Sequence, residues 1–331
     1  MSTRELTFAQ AIREALDEEM AHNDKIVVLG EDVGVWGGVF RATEGLYEKY
    51  GADRVVDTPL SEEGFVGLAV GAAMTGMHPV AEIMFGDFIT LTMDQIVNQA
   101  AKMRYMTGGQ IEVPMVIRAT MGGGRSSGAQ HSQSWHAWFA HVPGLKVVVP
   151  STPYDAKGLL KTALRDPNPV LFFEDKVMYT KVKGPVPEEE YTIPFGQADV
   201  KRQGTDVTLI ALSRMIHPVL AAAETLAAEG IEAEVVDPRT LTPLDETALI
   251  ASVSKTGGAV IVDEGYNRFG ATAELASVIA YGAFDYLDAP IERLGAMDVP
   301  IPFSPPLEFA TIPDEEQIIA AVHRVVAGRS R

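Results

Sequence analysis

The sequence predicts an α/β protein built as two parallel-sheet domains in series. Short, continuously apolar runs alternate with stretches at helical spacing along nearly the whole chain, the pattern of a parallel sheet covered on both faces by helices. The alternation breaks once, over residues 176–204, where Lys183-Gly-Pro-Val-Pro is followed by Glu188-Glu189-Glu190. Proline and charge of that kind mark a domain boundary. At 331 residues the chain is also long enough for two separate cores. The predicted limits are residues 1–185 for the first domain, 186–204 for a linker and 205–331 for the second.

Residues 6–21 set Phe8, Ile12, Leu16 and Met20 along one stripe, an amphipathic helix. Ile26-Val27-Val28-Leu29-Gly30 is a buried-strand pattern ending at Glu31-Asp32; residues 34–38 read as loop and 41–50 as a helix. Val55-Val56 is a short strand stopped by Asp57-Thr58-Pro59. A helix then opens at Ser61, a residue type whose hydroxyl caps helix starts. Glu62 and Glu63 fall in its first turn, where backbone N–H groups and the helix dipole favour negative charge. Gly, Ala, Val and Leu follow with hardly a polar group before His78, so burial on all sides is expected. The first array continues with a strand at 79–85, a helix at 90–106 and a strand at 113–119. A Gly- and Ser-rich loop at 121–129 precedes a strand at 145–149, a helix at 154–164 and a strand at 170–173. The second array places strands at 207–212, 233–236, 259–262 and 291–294, with helices at 217–228, 245–254, 270–281 and 314–327.

Composition excludes several function classes. Lys and Arg total 27 against 45 Asp and Glu, a net charge of −18, which argues against nucleic acid or anionic lipid as the main partner and suits a basic protein partner. The absence of cysteine excludes disulfides, thiolate nucleophiles and Cys-ligated metal or iron–sulfur sites. Met1-Ser2-Thr3-Arg4 leads into a helical pattern without a signal or transit peptide, so the cytoplasm is expected. The most apolar long stretch, Phe65 to Met77, is shorter than the roughly 20 residues a membrane span needs.

Two carboxylates at the mouth of an apolar helix, just past the carboxyl end of a strand, stand where open α/β sheets bind ligands. Helix-start decoration is the plainer reading of Ser61-Glu62-Glu63 taken alone. Gly122, Gly123 and Gly124 invite a phosphate-loop reading and fail it, since neither Gly-Lys-Ser/Thr nor a Gly-x-Gly-x-x-Gly fingerprint is present. His131 follows the flexible Gly/Ser loop at the expected start of a helix, where an imidazole can reach a cleft; it has no carboxylate at zinc-ligand spacing. His136 and His141 are read as packing or capping residues. Asp166-Pro167-Asn168-Pro169 reads as a helix stop and turn whose oxygens could also hold a hard monovalent cation.

Five stretches resemble one family. Leu29-Gly-Glu-Asp-Val, Asp57-Thr-Pro-Leu-Ser-Glu, Gln130-His-Ser-Gln-Ser, Pro143-Gly-Leu-Lys-Val-Val-Val-Pro and Val236-Asp-Pro-Arg-Thr-Leu-Thr-Pro-Leu-Asp are similar to the β subunit of thiamine-diphosphate-dependent 2-oxo acid dehydrogenases. That family includes the pyruvate, branched-chain and acetoin enzymes, and the match runs through both domains. It implies a transketolase-like pyrimidine-binding domain followed by a transketolase C-terminal domain, in an α2β2 heterotetramer. The α subunit would hold the diphosphate and Mg²⁺ through a Gly-Asp-Gly … Asn motif. Here Gly86-Asp87-Phe88 lacks the second glycine, which fits a β subunit and disfavours a complete single-chain transketolase.

By the same resemblance, Glu62 meets the far ring nitrogen of the aminopyrimidine, buried and with its pKa raised so that it can share a proton there. Phe88 packs on the pyrimidine face, and Glu31 lies near the cofactor in an acidic passage between paired sites. His131 faces the reacting carbonyl and takes part in proton transfer when the acyl unit moves to lipoamide. Met115, Ala163, Asp166 and Asn168 match a potassium site, the first two through backbone carbonyls. The C-terminal domain is expected to dock a basic domain of the lipoyl acyltransferase core. Ser126, Ser127, Trp135 and His136 stand where subfamilies differ in substrate. The expected substrate is a 2-oxo acid, pyruvate first, with acetoin as the alternative. A non-catalytic scaffold of the same fold is the rival class, disfavoured by the joint presence of Glu62, Phe88 and His131.

Overall fold

The computed structural model describes residues 3–329; Met1, Ser2, Ser330 and Arg331 lie outside it. The described residues form two compact units, one running to Met121 and resuming over Trp138–Phe195, the other made of Gly122–Ala137 and the chain from Gly196 onward.

In the first unit the strand Thr3–Thr7 leads into the helix Phe8–His22. Thr7 and Gln10 form a reciprocal capping box, and the predicted stripe of Phe8, Ile12, Leu16 and Met20 is fully buried. The main sheet runs in the order Lys146–Val148, Val170–Asp175, Val116–Met121, His78–Ile83, Ile26–Gly30, Val55–Asp57, every pair parallel. Helix Pro153–Leu164 lies against Phe8–His22, and two lysines go under with it. Lys157 pairs with Glu14 and Glu18, and Lys161 with Glu18 at 2.7 Å, so the buried ammonium groups are compensated rather than stranded.

Four local expectations are corrected here. Ser61 stands at the start of helix Glu62–Met74 but makes no capping bond with its hydroxyl; only its carbonyl is used, accepting from the Phe65 N–H at 2.9 Å. That helix is not buried all round: Phe65, Val66, Ala69, Val70 and Ala73 go inward, while Leu68 stays 63 % exposed and Gly71 has nothing near it. Overall apolarity does not say how many sides a unit covers, and this one covers a single stripe. The expected helix at 90–106 changes winding, from 3-10 over Gly86–Thr92 to π over Gln95–Ala100 and α over Ala101–Met106. The helix at 41–50 shrinks to Leu46–Tyr50, because Gly37, Gly38 and Gly45 just before it hold positive φ.

The stretch read as a linker contains structure as well. Lys183–Pro187 pairs antiparallel with Thr3–Thr7, a two-stranded ribbon in which proline is tolerated. Asp199–Arg202 forms the edge of the second unit's sheet, antiparallel to Ala233–Asp237. That sheet continues through Val207–Ala211, Ala259–Tyr266 and Glu292–Ala296, all parallel. Helices Ile216–Ala228, Glu246–Thr256, Ala271–Gly282 and Glu315–Gly328 fall where the periodicity places them. A short helix at Pro305–Thr311 is additional. Among the described residues no helix is long and apolar enough to cross a membrane.

Candidate active site

Three neighbouring parallel strands of the first unit, His78–Ile83, Ile26–Gly30 and Val55–Asp57, end on the same side of the sheet. The segments leaving them carry Phe88, Glu31 and Glu62 in turn. Gly30 permits the close approach of two strand ends, since a Cβ there would lie 2.6 Å from the Glu82 carbonyl oxygen. Asp57, at the end of the strand before Glu62, accepts the Gly34 N–H at 2.7 Å and so ties down the loop after Glu31. The Thr43 hydroxyl closes that loop by donating to the Val33 carbonyl at 2.8 Å.

Glu31 is 6 % exposed, and its Oε1 is buried without a hydrogen-bond partner among the described residues. Burial, then the negative charges of Glu62 and Asp32, push its carboxyl above the usual glutamate range. Glu62, the first helical residue, is half-buried rather than sequestered as the resemblance implied. A carboxyl held above its unfolded pKa favours the folded state below the ordinary carboxylate range, and this contribution is lost as the pH rises through the raised value. Glu31→Gln is therefore expected to raise the melting temperature of the chain at about pH 7 and to have no such effect at about pH 4. Thermal unfolding at the two pH values checks it; an equal shift at both would mean that ionisation of Glu31 is not the cause.

Phe88 lies on the 3-10 turn Gly86–Thr92, which only glycine can open: a Cβ on Gly86 would sit 2.0 Å from the Thr120 carbonyl oxygen. The half-buried Phe88 ring meets Phe85 edge-on with centroids 6.0 Å apart, and Phe85 meets Phe40 at 5.9 Å. Phe40 stacks on Tyr179 at 4.8 Å with the planes 4° from parallel. The Tyr179 hydroxyl donates to Glu174. Glu174 takes a bidentate pair of bonds from the buried Arg118, at 2.7 and 2.8 Å, and Glu82 takes the third guanidinium nitrogen. Burial pushes the Glu82 carboxyl up, Arg118 opposing and Glu174 adding to the shift. Sequence reasoning passed over this triad. Its signal was present, an Arg and two Glu within otherwise apolar strand runs of a doubly covered sheet.

His131 belongs to the second unit, in an irregular stretch; the helix it was expected to open starts instead at His136. Gly122, Gly124 and Ser126 hold φ of 88°, 90° and 55°. The N–H groups of this loop go to different acceptors, that of Gly122 to the Gln133 carbonyl at 3.3 Å. The Gly123 N–H donates to Glu264, and the Gly124 and Ser126 N–H groups donate to the two oxygens of Glu308, each at 2.8 Å. Arg214 holds Glu264 in turn at 2.7 Å. His136, read as packing, is fully buried and its Nε2–H donates to Asp263 at 2.8 Å. Burial alone would lower the His136 pKa, but the Asp263 charge and hydrogen bond outweigh it and raise it.

The residues matched to a potassium site come together in the first unit. The Met115 carbonyl accepts the Val170 N–H at 3.0 Å, and the Ala163 carbonyl accepts the Asp166 N–H at 3.2 Å. The side chains are already engaged: Asp166 pairs with Lys146, and Asn168 accepts from Arg104 at 2.7 Å. The Met115 carbonyl keeps a second lone pair, whereas the Ala163 carbonyl accepts from the Arg165 N–H as well. Among the described residues no group of three or more His, Asp or Glu side chains is placed to hold a metal ion.

Residues 4–181 match the transketolase pyrimidine-binding domain and residues 196–318 the transketolase C-terminal domain. The chain is 47 % identical to the acetoin:2,6-dichlorophenolindophenol oxidoreductase subunit beta of Bacillus subtilis, over 96 % of each chain. It is 47 % identical to the 2-oxoisovalerate dehydrogenase subunit beta of the same organism, covering 97 % of this chain and 98 % of that one. The pyruvate dehydrogenase E1 component subunit beta of Rickettsia felis is 46 % identical, with the same coverage. Among solved structures, a split-gene transketolase described as an inactive beta4 tetramer aligns with a TM-score of 0.78 and 26 % identity, over 98 % of this chain and 99 % of that one.

Proposed function

This chain belongs to the β-subunit family of the thiamine-diphosphate-dependent 2-oxo acid and acetoin dehydrogenases, and from that premise we propose that it completes the active site of an α2β2 decarboxylating component. The component takes a 2-oxo acid of the pyruvate type and transfers the acyl group to a lipoyl domain. The observation that carries this reading is the acidic site of the first unit, where a buried carboxyl with an oxygen unpartnered among the described residues lies within electrostatic reach of a second carboxylate at a helix start. Such a pair suits a nitrogen heterocycle that exchanges protons with a carboxyl, and the half-buried Phe88 ring offers it an apolar wall.

Thiamine diphosphate, when bound, supplies the electron sink for breaking a carbon–carbon bond beside a carbonyl. Glu62 holds a proton at the pyrimidine ring nitrogen and Phe88 orients that ring. Glu31 keeps a second proton-binding group beside Glu62. His131 moves a proton at the substrate oxygen during transfer to lipoamide. The diphosphate and Mg²⁺ fall to the α subunit, because Gly86-Asp87-Phe88 lacks the second glycine of the metal motif. A potassium ion, where bound, rests on the Met115 and Ala163 carbonyls beside Asp166 and Asn168. The second unit docks the acyltransferase core, in keeping with the net charge of −18.

Acetoin cleavage is the second reading. It is favoured by identities of 47 % and 49 % to acetoin oxidoreductase β subunits, from Bacillus subtilis and Cupriavidus necator. Reductive acylation of a lipoyl domain by the reconstituted α and β chains, run with pyruvate, branched-chain 2-oxo acids and acetoin, separates the substrates. His131→Ala is expected to slow acyl transfer by about 10²–10⁴-fold, well beyond any loss of cofactor affinity. Unchanged activity with lipoamide would remove His131 from the mechanism, and turnover by this chain without a partner would overturn the half-site reading.

A further inference from the structure

We propose that Glu308, with Glu264 and the Asp263–His136 pair, acts as a positioning set that holds the His131 loop in one conformation, so that acyl transfer depends on carboxylates of the second unit that touch neither substrate nor cofactor. This rests on the reading of His131 given above. Glu308 is fully buried on the short helix Pro305–Thr311, yet among the described residues its partners are backbone N–H groups and the Ser126 hydroxyl rather than a cation. A carboxylate taken out of water without a counter-ion is costly, and an apolar side chain would fill the same space more cheaply. What the carboxylate supplies is two acceptors at once, its oxygens spanning the N–H groups of Gly124 and Ser126.

The glycines serve the same clamp. A Cβ on Gly123 would come within 2.9 Å of Ile312 and 3.3 Å of Glu308, so the loop can lie against the carboxylate only without one. On the far side, His136 is bonded to Asp263 and packs on Gly265, where an added Cβ would sit 3.3 Å from the ring. His131 stands midway between the anchors at Ser126 and His136. A loop tied at both ends presents its middle in a narrow range of positions, and small misplacements of a reacting group carry large rate penalties.

Glu308→Gln keeps the shape but sets an amide N–H against a backbone N–H, releasing one anchor. In the reconstituted α/β assembly, two half-reactions are compared: decarboxylation read with an artificial dye acceptor, and reductive acylation of a lipoyl domain. Glu308→Gln is expected to reduce acylation on the order of 10- to 100-fold more than dye reduction, with Glu308→Asp recovering part of the loss. His131→Ala is run beside it. If His131→Ala impairs acylation and Glu308→Gln does not, the positioning role is overturned while the reading of His131 survives. If His131→Ala leaves acylation normal, that reading fails and takes this one with it. Equal loss in both half-reactions would make Glu308 a purely structural residue and likewise overturn the proposal. Should Glu308→Gln fail to assemble, Glu264→Gln, which loosens the Gly123 anchor and gives up the ion pair with Arg214, enters the same comparison with the same expected selectivity.

Discussion

A reconstituted α/β assembly carrying Glu62→Ala is expected to lose turnover by about 10²–10⁴-fold, the span of a general acid–base contribution. Its melting temperature should stay within about 2 °C of the parent, because a surface substitution changes stability by about 0.5 kcal/mol or less. The separation of the two effects follows from where the side chain stands. Glu62 is half-buried and, among the described residues, makes no side-chain hydrogen bond or ion pair, so folding does not draw on it. Its charge does act on Glu31, contributing to the raised proton affinity there. Turnover and thermal unfolding of the same preparation are the measurements. Normal turnover would sink the assignment, and a large drop in melting temperature would show that the residue is structural after all.

Arg118→Met is expected to have the opposite profile, a stability loss of about 3–5 kcal/mol, the usual cost of breaking a buried ion pair from one side. For a protein unit of this size each kcal/mol shifts melting by about 2–4 °C, so the drop should be roughly 6–20 °C. The substitution leaves Glu82 and Glu174 buried and facing each other without the guanidinium that separates them. Glu82 already binds its proton more tightly than an exposed glutamate, through burial above all, and without Arg118 it would do so further. The damage should also reach Phe88, since Tyr179 leans on Glu174 and the Phe40, Phe85 and Phe88 rings follow from it. Differential scanning calorimetry of the variant chain decides the matter, and an unchanged transition would mean that the triad is solvated.

Much of the fold was legible because its signals are local. The apolar runs at Ile26–Gly30, Val116–Met121 and Val207–Ala211 are buried parallel strands, and the Phe8, Ile12, Leu16 and Met20 stripe lies in the core. Other local readings failed where the outcome depended on distant groups. Ser61 has the right chemistry for a cap, but its backbone leaves the hydroxyl unused. The phosphate fingerprint is missing from the glycines at 122–124, but nothing nearby in the chain announces that the Gly123 and Gly124 N–H groups are taken by Glu264 and Glu308, more than a hundred residues away. His136 looked like packing because Asp263, which makes it a buried ion-pair partner, is equally remote.

The amino-acid order by itself settled the α/β class, the run of strands and helices, the family and the acidic pair beside a helix start. These depend on periodicity and on short strings of side chains, which neighbours along the chain control. The tertiary structure alone decided that one side of the Glu62 helix stays open, that Arg118 holds two strands' carboxylates, and that the His131 loop is tied down by acids of the second unit. A charge taken out of water must find its partner in space, and sequence separation says nothing about which partner the packed chain brings within 3 Å.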